Sequence, residues 1–417
     1  IKERNDVSAG KDPSQFFEAF LFPNIFRAFR MAIHPRKMLI AFFGVLLVTL
    51  AGLVMDVTET VVTDTAQRTE LDQYVQSKVA YELFMQSYEG KGGRTGVFLT
   101  LVKFGVDRFE AILGTLQHLG VESIFVVIDN LGQGFKAVEW AFRYHLLYSL
   151  LFFAIMLAAS AVTGGALCRM AALEFAQEER PGLFESLRYS LQRFVSFYGA
   201  PLTPVAIVAG FGSFIFVLGL LGNIKYVGEI LVGLSMPLIL IAGVLMMFVI
   251  LGTIGGLNLM FPTIAFENSE CFLAVNNSFR YVFSRPWRLG FYTGVALVHG
   301  AISYAMTRFF VFGLLLSAYR FLELGFLEGN AKLLRLWQEP RFESLYTLNL
   351  PAHQVITESI GAVMIQISIL TIIGLLVAYV VSFCFSANTI IYALMRKRVD
   401  NIELTKVKSI YDEDDEN

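Results

Sequence analysis

"NNSFRYVFSRPWRLGFY", residues 276–292, sets Arg280, Arg285 and Arg288 around Pro286 and Trp287. A stretch free of Asp, Glu, Lys and Arg follows, from Leu289 to the residue before Arg308. About 20 apolar residues carry a helix across the ~30 Å hydrocarbon core of a bilayer. Lys and Arg in the flank of such a span stay on the cytoplasmic side. Proline removes a helical N–H and ends or kinks a helix. The cluster therefore reads as an interfacial helix stopped at Pro286, with Trp287 at headgroup depth and a span beginning at Leu289. The rival reading of three arginines is an anion or nucleic-acid site, but a net charge of −2 supplies no overall basic field.

Composition agrees with a lipid setting. Of the 417 residues 55% are hydrophobic and 16% charged, against about 25% charged in soluble domains. Mean hydropathy is +0.60. The chain opens at Ile1 rather than Met, so the natural N-terminus is expected upstream, and the polar residues 1–15 carry no signal-peptide pattern. Cys168, Cys271 and Cys384 lack metal spacing, and their placement in or near spans argues against a disulfide framework.

Six segments satisfy the length requirement, giving an all-α integral membrane protein with spans over 38–55, 144–168, 199–222, 232–257, 289–317 and 357–395. The uncharged runs holding the fourth and sixth would each extend roughly 55 Å as a helix, so each is expected to hold one span and an extension. In the fourth, Pro237 is expected to mark the outer end and Gly255-Gly256 a loosening at the inner end. Lys and Arg concentrate before Met38, in 169–198, in 258–288 and in "RKR" after residue 395. That distribution places both termini in the cytoplasm. The remaining segments are a cytoplasmic piece with an interfacial helix over 1–37, cytoplasmic amphipathic helices within 169–198 and 258–288, an extracytoplasmic helical domain over 56–143, an outer cap over 318–355 and an acidic tail over 396–417. In the 56–143 domain, Phe98, Val102, Val106, Phe109, Leu113 and Leu116 recur at helical spacing as a packing stripe, after a break at "EGKGGRTG".

A repeat underlies this layout. Ser186-Leu187-Arg188-Tyr189 matches Ser278-Phe279-Arg280-Tyr281, and Arg193 matches Arg285, at the same offset; Gly164-Gly165 and Gly255-Gly256 precede them at nearly that offset. A fainter copy, "NIFRAFRMAIHPRKMLIAFF", precedes the first span. Leu183, Leu187, Leu191, Phe194 and Phe197 share one helical face, as do Phe272, Val275, Phe279 and Phe283. Aromatic faces edged by arginine suit the headgroup layer. The expectation is three parallel units, each led by a cytoplasmic interfacial amphipathic helix, with Arg188, Arg193, Arg280, Arg285, Trp287 and Arg288 as membrane-interface anchors.

The segments "GGALCRMAALEFAQEER", "LRYSLQRFVSFYGAPLTP", "FPTIAFENSE", "SFRYVFSRPWRLGFY" and "FSANTIIYALMRKRVD" resemble motifs of an uncharacterised family of multi-pass bacterial membrane proteins. The resemblance runs from residue 25 to about 400 and is weakest in the outer loops. It implies a bacterial inner-membrane location and lends no catalytic or binding residue.

Motifs that carry chemistry are sparse. The histidines are scattered without H-E-x-x-H, "GKGGRTG" lacks the G-K-[ST] end of a P-loop, and no G-x-S-x-G elbow occurs. No metal, cofactor or nucleic acid is expected. Ion-coupled transport needs titratable groups within spans, and His299 and Arg308 are the candidates, His299 near mid-depth and Arg308 near the outer headgroups, where arginine snorkels. They do not share a helical face. Small-x-x-x-small pairs, Ser160/Gly164, Ala161/Gly165, Gly252/Gly256 and Gly290/Gly294, favour close helix packing. The functional expectation is a non-catalytic scaffold or accessory subunit with membrane lipids and a protein partner, or a second copy, around it. The alternative is a transporter or channel for an apolar or lipid-like solute, and an integral-membrane enzyme is third.

Overall fold

The computed structural model describes residues 21–64, 68–88, 92–116, 121–326, 331–342, 345 and 356–408. The first twenty residues, part of the glycine-rich break, much of the 318–355 cap and the acidic end "YDEDDEN" lie outside the described residues. A 3₁₀ turn, Phe22–Phe26, leads into α1 (Arg27–Ala32) and α2 (Pro35–Met55). Then come β1 (Val61–Thr63), α3 (Glu70–Gln76), α4 (Lys78–Tyr88), β2 (Gly93–Thr95), α5 (Val97–Leu116) and α6 (Val121–Tyr144). The remainder is α7 (Leu146–Ala176), α8 (Leu183–Gln192), α9 (Phe194–Leu221), α10 (Gly228–Glu267), α11 (Cys271–Ser284), α12 (Pro286–Gly325), α13 (Ala331–Leu336) and α14 (Ile356–Asp400). Six of these, α2, α7, α9, α10, α12 and α14, are long and apolar enough to cross a membrane. The protein is a helical membrane protein. Its strands form one small antiparallel ribbon, pairing Val61 with Thr95 and Thr63 with Gly93.

Several helices run further than the charge-free segments suggest. Helix α10 has 40 residues and continues through Pro237, Gly255-Gly256 and Pro262. The loosening expected at the glycine pair is absent. A Cβ at Gly252 would overlap Phe279, and one at Gly255 would overlap Val282. The glycines thus let α11 lie close along α10, as small residues do between membrane helices. Helix α12 begins at Pro286, where a missing N–H costs nothing, and runs to Gly325, beyond the expected end at 317.

The chain divides into two compact units and passes between them within α2, α7, α12 and α14. The first unit comprises residues 1–37, 164–300 and 382–417. In it α9 and α10 form a hairpin, and α8 and α11 bury one side each. The buried side combines small residues with one tyrosine: Ser186, Tyr189 and Ser190 on α8, and Ala274, Val275, Ser278 and Tyr281 on α11.

The second unit comprises residues 38–163 and 301–381. Its core gathers Val61, Leu71, Val75, Tyr81, Val97, Phe104, Ala137, Trp140 and Ala141. The stripe expected on α5 is out of phase with this core. Val97, Leu101 and Phe104 face it, whereas Val102 is exposed. Phe98 instead covers Gly52 and meets Phe152, and Phe109 packs on Tyr304; Leu113 and Leu116 fall outside the described side chains. Buried Asp56 accepts the amides of Phe98 at 2.9 Å and Leu99 at 2.8 Å, and the Tyr148 hydroxyl at 2.7 Å. The first turn of a helix leaves such amides without intrahelical partners and favours a negative charge.

Packing at the glycines gives a direct check. A Cβ at Gly165 would overlap Ser190 and Phe197, whereas Gly210 meets nothing within 4 Å. Overpacking a tight interior costs about 1–3 kcal/mol. Gly165→Val should therefore lower the thermal unfolding midpoint in detergent by several degrees, and Gly210→Val should leave it within a degree or two.

Candidate functional site

Four carbonyls at the C-terminal end of every α-helix lack intrahelical donors. At α10 those carbonyls are buried, because Ile264, Ala265 and Phe266 have no exposed surface. Three separate segments supply the missing donors. The Tyr189 hydroxyl of α8 donates to Ile264 O at 2.9 Å. Arg169 Nη1 of α7 donates to Ala265 O at 2.8 Å and to Lys408 O at 3.1 Å. The Lys408 amide donates to Phe266 O at 2.9 Å. Asn268 closes the helix in the left-handed region at φ 51° and donates its amide to Ile264 O. A guanidinium at this end also opposes the negative pole of the helix dipole. Arg169 lies over the Tyr189 ring, 4.6 Å from its centroid, which fixes both groups.

Ion pairs surround the capped end. Glu267, the last residue of α10, pairs with Arg396, whose Nε lies 2.9 Å from Oε1, and accepts from the Tyr392 hydroxyl at 3.2 Å, both partners on α14. Arg396 Nη1 donates onward to Lys406 O at 2.7 Å. Arg193, between α8 and α9, donates to Asn268 Oδ1 at 2.9 Å. Asp400, the last residue of α14, receives Arg280 at 2.7 Å and the Tyr281 hydroxyl. Burial, reinforced by the bond to Asp400, pushes the Tyr281 phenol well above its ordinary range, so the phenol remains a donor. Between α2 and α7, Lys37 Nζ lies 2.7 Å from Glu174 Oε2, with the lysine only 1% exposed. Arg27 sits 3.6 Å from Glu178 and over the Phe175 ring, and Arg36 donates to the carbonyls of Arg180 and Pro181.

The arginines expected as interface anchors separate into two sets. Arg193 and Arg280 are bonded within the first unit. Arg188, Arg285 and Arg288 are exposed and have no side-chain partner among the described residues, and Trp287 is 90% exposed. His299 lies in the first unit within an aromatic box, its ring 5.0 Å from Phe26, 6.4 Å from Phe29 and 5.6 Å from Phe383, with a hydrogen bond to the Phe26 backbone. Arg308 belongs to the second unit. The snorkelling arginine expected there is instead 7% exposed, bonded at 2.9 Å to Glu110 of α5 and at 2.8 Å to Phe342 O. It ties α12 to α5, a role hidden in the sequence by the distance between residues 110 and 308.

Lys37, Arg169, Glu174, Glu267, Arg396 and Asp400 were not singled out from sequence. A weak signal existed for two of them: "ALEF" at 172–175 and "AFEN" at 265–268 each place a glutamate shortly behind a glycine pair, though not at the same distance. Among the described residues, no group of three or more His, Cys, Asp or Glu is placed to hold a metal ion. The arrangement holds segment ends together through fixed charges and capped carbonyls. No protein-family model, curated protein or solved structure matches the chain.

The Lys37–Glu174 pair permits a sharp test. Removing one member of a buried pair leaves an uncompensated charge and costs about 3–5 kcal/mol, whereas replacing both by apolar residues is often neutral. Lys37→Met should lower the unfolding midpoint strongly, and adding Glu174→Met should restore most of the loss. Equal loss in the single and double variants would show that the pair does not set the stability of this site.

Proposed function

We propose that the chain is a non-catalytic scaffold or accessory subunit of a larger complex in the bacterial inner membrane, with both termini in the cytoplasm. It is built from three parallel units, residues 22–178, 183–268 and 271–400, each led by an amphipathic helix in the cytoplasmic headgroup layer. One observation carries the reading. In each unit the leading segment is bonded to the end of the returning helix of that same unit: Arg27 to Glu178 and Lys37 to Glu174, Tyr189 to Ile264 and Arg193 to Asn268, Arg280 and Tyr281 to Asp400. Tyr189 and Tyr281 occupy the same place in the matched Ser-x-Arg-Tyr motifs. Units each closed by fixed bonds between their first and last segments suit holding a partner in place.

The outward faces support the membrane placement. Phe184 and Leu191 on α8, and Phe272, Leu273 and Phe283 on α11, are exposed opposite the buried serine and tyrosine side. An apolar face with basic residues beside it binds in the interfacial layer.

A second reading rests on a groove between α9 and α10. It has a volume of about 500 Å³ and is lined by Ile207, Gly210, Phe211, Phe214, Leu238, Ile241, Ala242 and Leu245. An apolar groove between two helices able to cross a membrane favours a carrier of lipid-like solute.

Purification in mild detergent, followed by sizing and mass spectrometry, separates the two. The scaffold reading expects a stoichiometric membrane-protein partner or a defined oligomer that survives salt. A monodisperse single chain that moves labelled lipid across a reconstituted bilayer, and loses that activity on Ala242→Trp, would replace it with the carrier reading.

A further inference from the structure

We propose that the elbow Arg285–Pro286–Trp287–Arg288 is a binding site for the headgroup of an anionic phospholipid. This inference rests on the cytoplasmic membrane placement given under the proposed function and adds the chemical class of lipid.

Arg280 is bonded to Asp400 and is therefore a structural member of the first unit. Arg285 and Arg288, on either side of the α11–α12 junction, are exposed and have no side-chain partner among the described residues. No Asp or Glu occurs between Cys271 and Leu322 in sequence, and the carboxylate that reaches α11, Asp400, is taken by Arg280 and Tyr281. Two guanidinium groups three residues apart repel each other unless an anion lies between them. Arginine is matched to phosphate oxygens by its planar fork of donors.

The apolar surroundings select a lipid phosphate over a soluble one. Trp287 is 90% exposed between the two arginines, and Phe272, Phe283 and Phe291 are exposed on the flanking helices. Tryptophan with one apolar and one polar edge settles at headgroup level. Seated there, it holds the two cations against the phosphate layer, while the phenylalanines reach the upper acyl chains. Basic clusters beside a span attract anionic lipid in this way. Ala274, Val275, Ser278 and Tyr281 of α11 are buried and Phe279 packs over Gly252, which leaves Phe272 and Phe283 exposed for that contact.

The test uses the full chain in micelles containing equal amounts of dioleoylphosphatidylglycerol and dioleoylphosphatidylcholine, with retained lipid counted by native mass spectrometry. Phosphatidylglycerol should be retained over phosphatidylcholine, and R285Q/R288Q should lower that ratio roughly tenfold. K225Q, which removes a cation from the turn between α9 and α10, should leave it unchanged. An unchanged ratio in R285Q/R288Q, with the unfolding midpoint preserved, overturns the proposal. Displacement of phosphatidylglycerol by inorganic phosphate at matched concentration overturns it too, because the site would then recognise any phosphate. Placement is read separately by labelling W287C with a membrane-impermeant thiol reagent in sealed vesicles of each orientation, in a C271S background. Labelling from the cytoplasmic side together with no anionic preference removes the lipid site and keeps the orientation. Labelling from the opposite side removes both.

Discussion

A buried helix end must find donors for its last carbonyls, and the first unit is arranged around that requirement at the end of α10. Ile264, Ala265 and Phe266 are capped by a tyrosine, an arginine and a backbone amide from three different parts of the chain. An unsatisfied buried carbonyl costs roughly 1–3 kcal/mol, so each cap holds its segment firmly. The capping groups come from α7, α8 and the segment after α14, and one helix end therefore determines where three others lie. Arg169 bonds Ala265 O and Lys408 O at once, so the cap and the final segment depend on the same side chain.

The amphipathic helices follow from the same arrangement. In α8 a tyrosine hydroxyl caps Ile264 O and in α11 one bonds the Asp400 carboxylate, so both helices turn a tyrosine inward beside buried serine. Phe184 and Leu191 on α8, and Phe272, Leu273 and Phe283 on α11, are left facing out, whereas Phe279 and Val282 lie against the α10 glycines. In water that would be an aggregation hazard, and beside a bilayer it is a favourable contact. Serine on the inward side also keeps the contact thin. Ser278 approaches Gly256 and Ser190 approaches Gly165, where a larger side chain could not lie. Polar capping and close glycine packing are thus two aspects of one interface.

Much of the architecture was legible in the sequence because charge-free length is a strong signal for helices able to cross a membrane. The break before α12 was legible for a similar reason, since proline leaves few options, although the helix begins at Pro286 itself rather than at Leu289. The phase of α5 was not. Its first turns, "VFLTLVKF", are apolar on nearly every side, so several faces satisfy a helical period and only tertiary packing chooses Val97, Leu101 and Phe104. Charge partners were equally hidden. Lys37 and Glu174, or Arg308 and Glu110, are distant in sequence, and nothing local announces that they meet. The division of the opening arginine cluster into a bonded Arg280 and exposed Arg285 and Arg288 could not be read from spacing, because it depends on where Asp400 returns.

The position of Lys408 in the chain has a consequence for biosynthesis. A ribosome makes α10 long before it makes the residues after α14. Until those residues emerge, Phe266 O has no Lys408 amide and Glu267 has no Arg396. The end of α10 thus stays incompletely capped throughout synthesis, and the first unit closes only when the last helix and its trailing segment are released. A chain cut short after residue 395 would carry every apolar helix and still display an unsealed end, a chemical mark by which incomplete copies differ from finished ones.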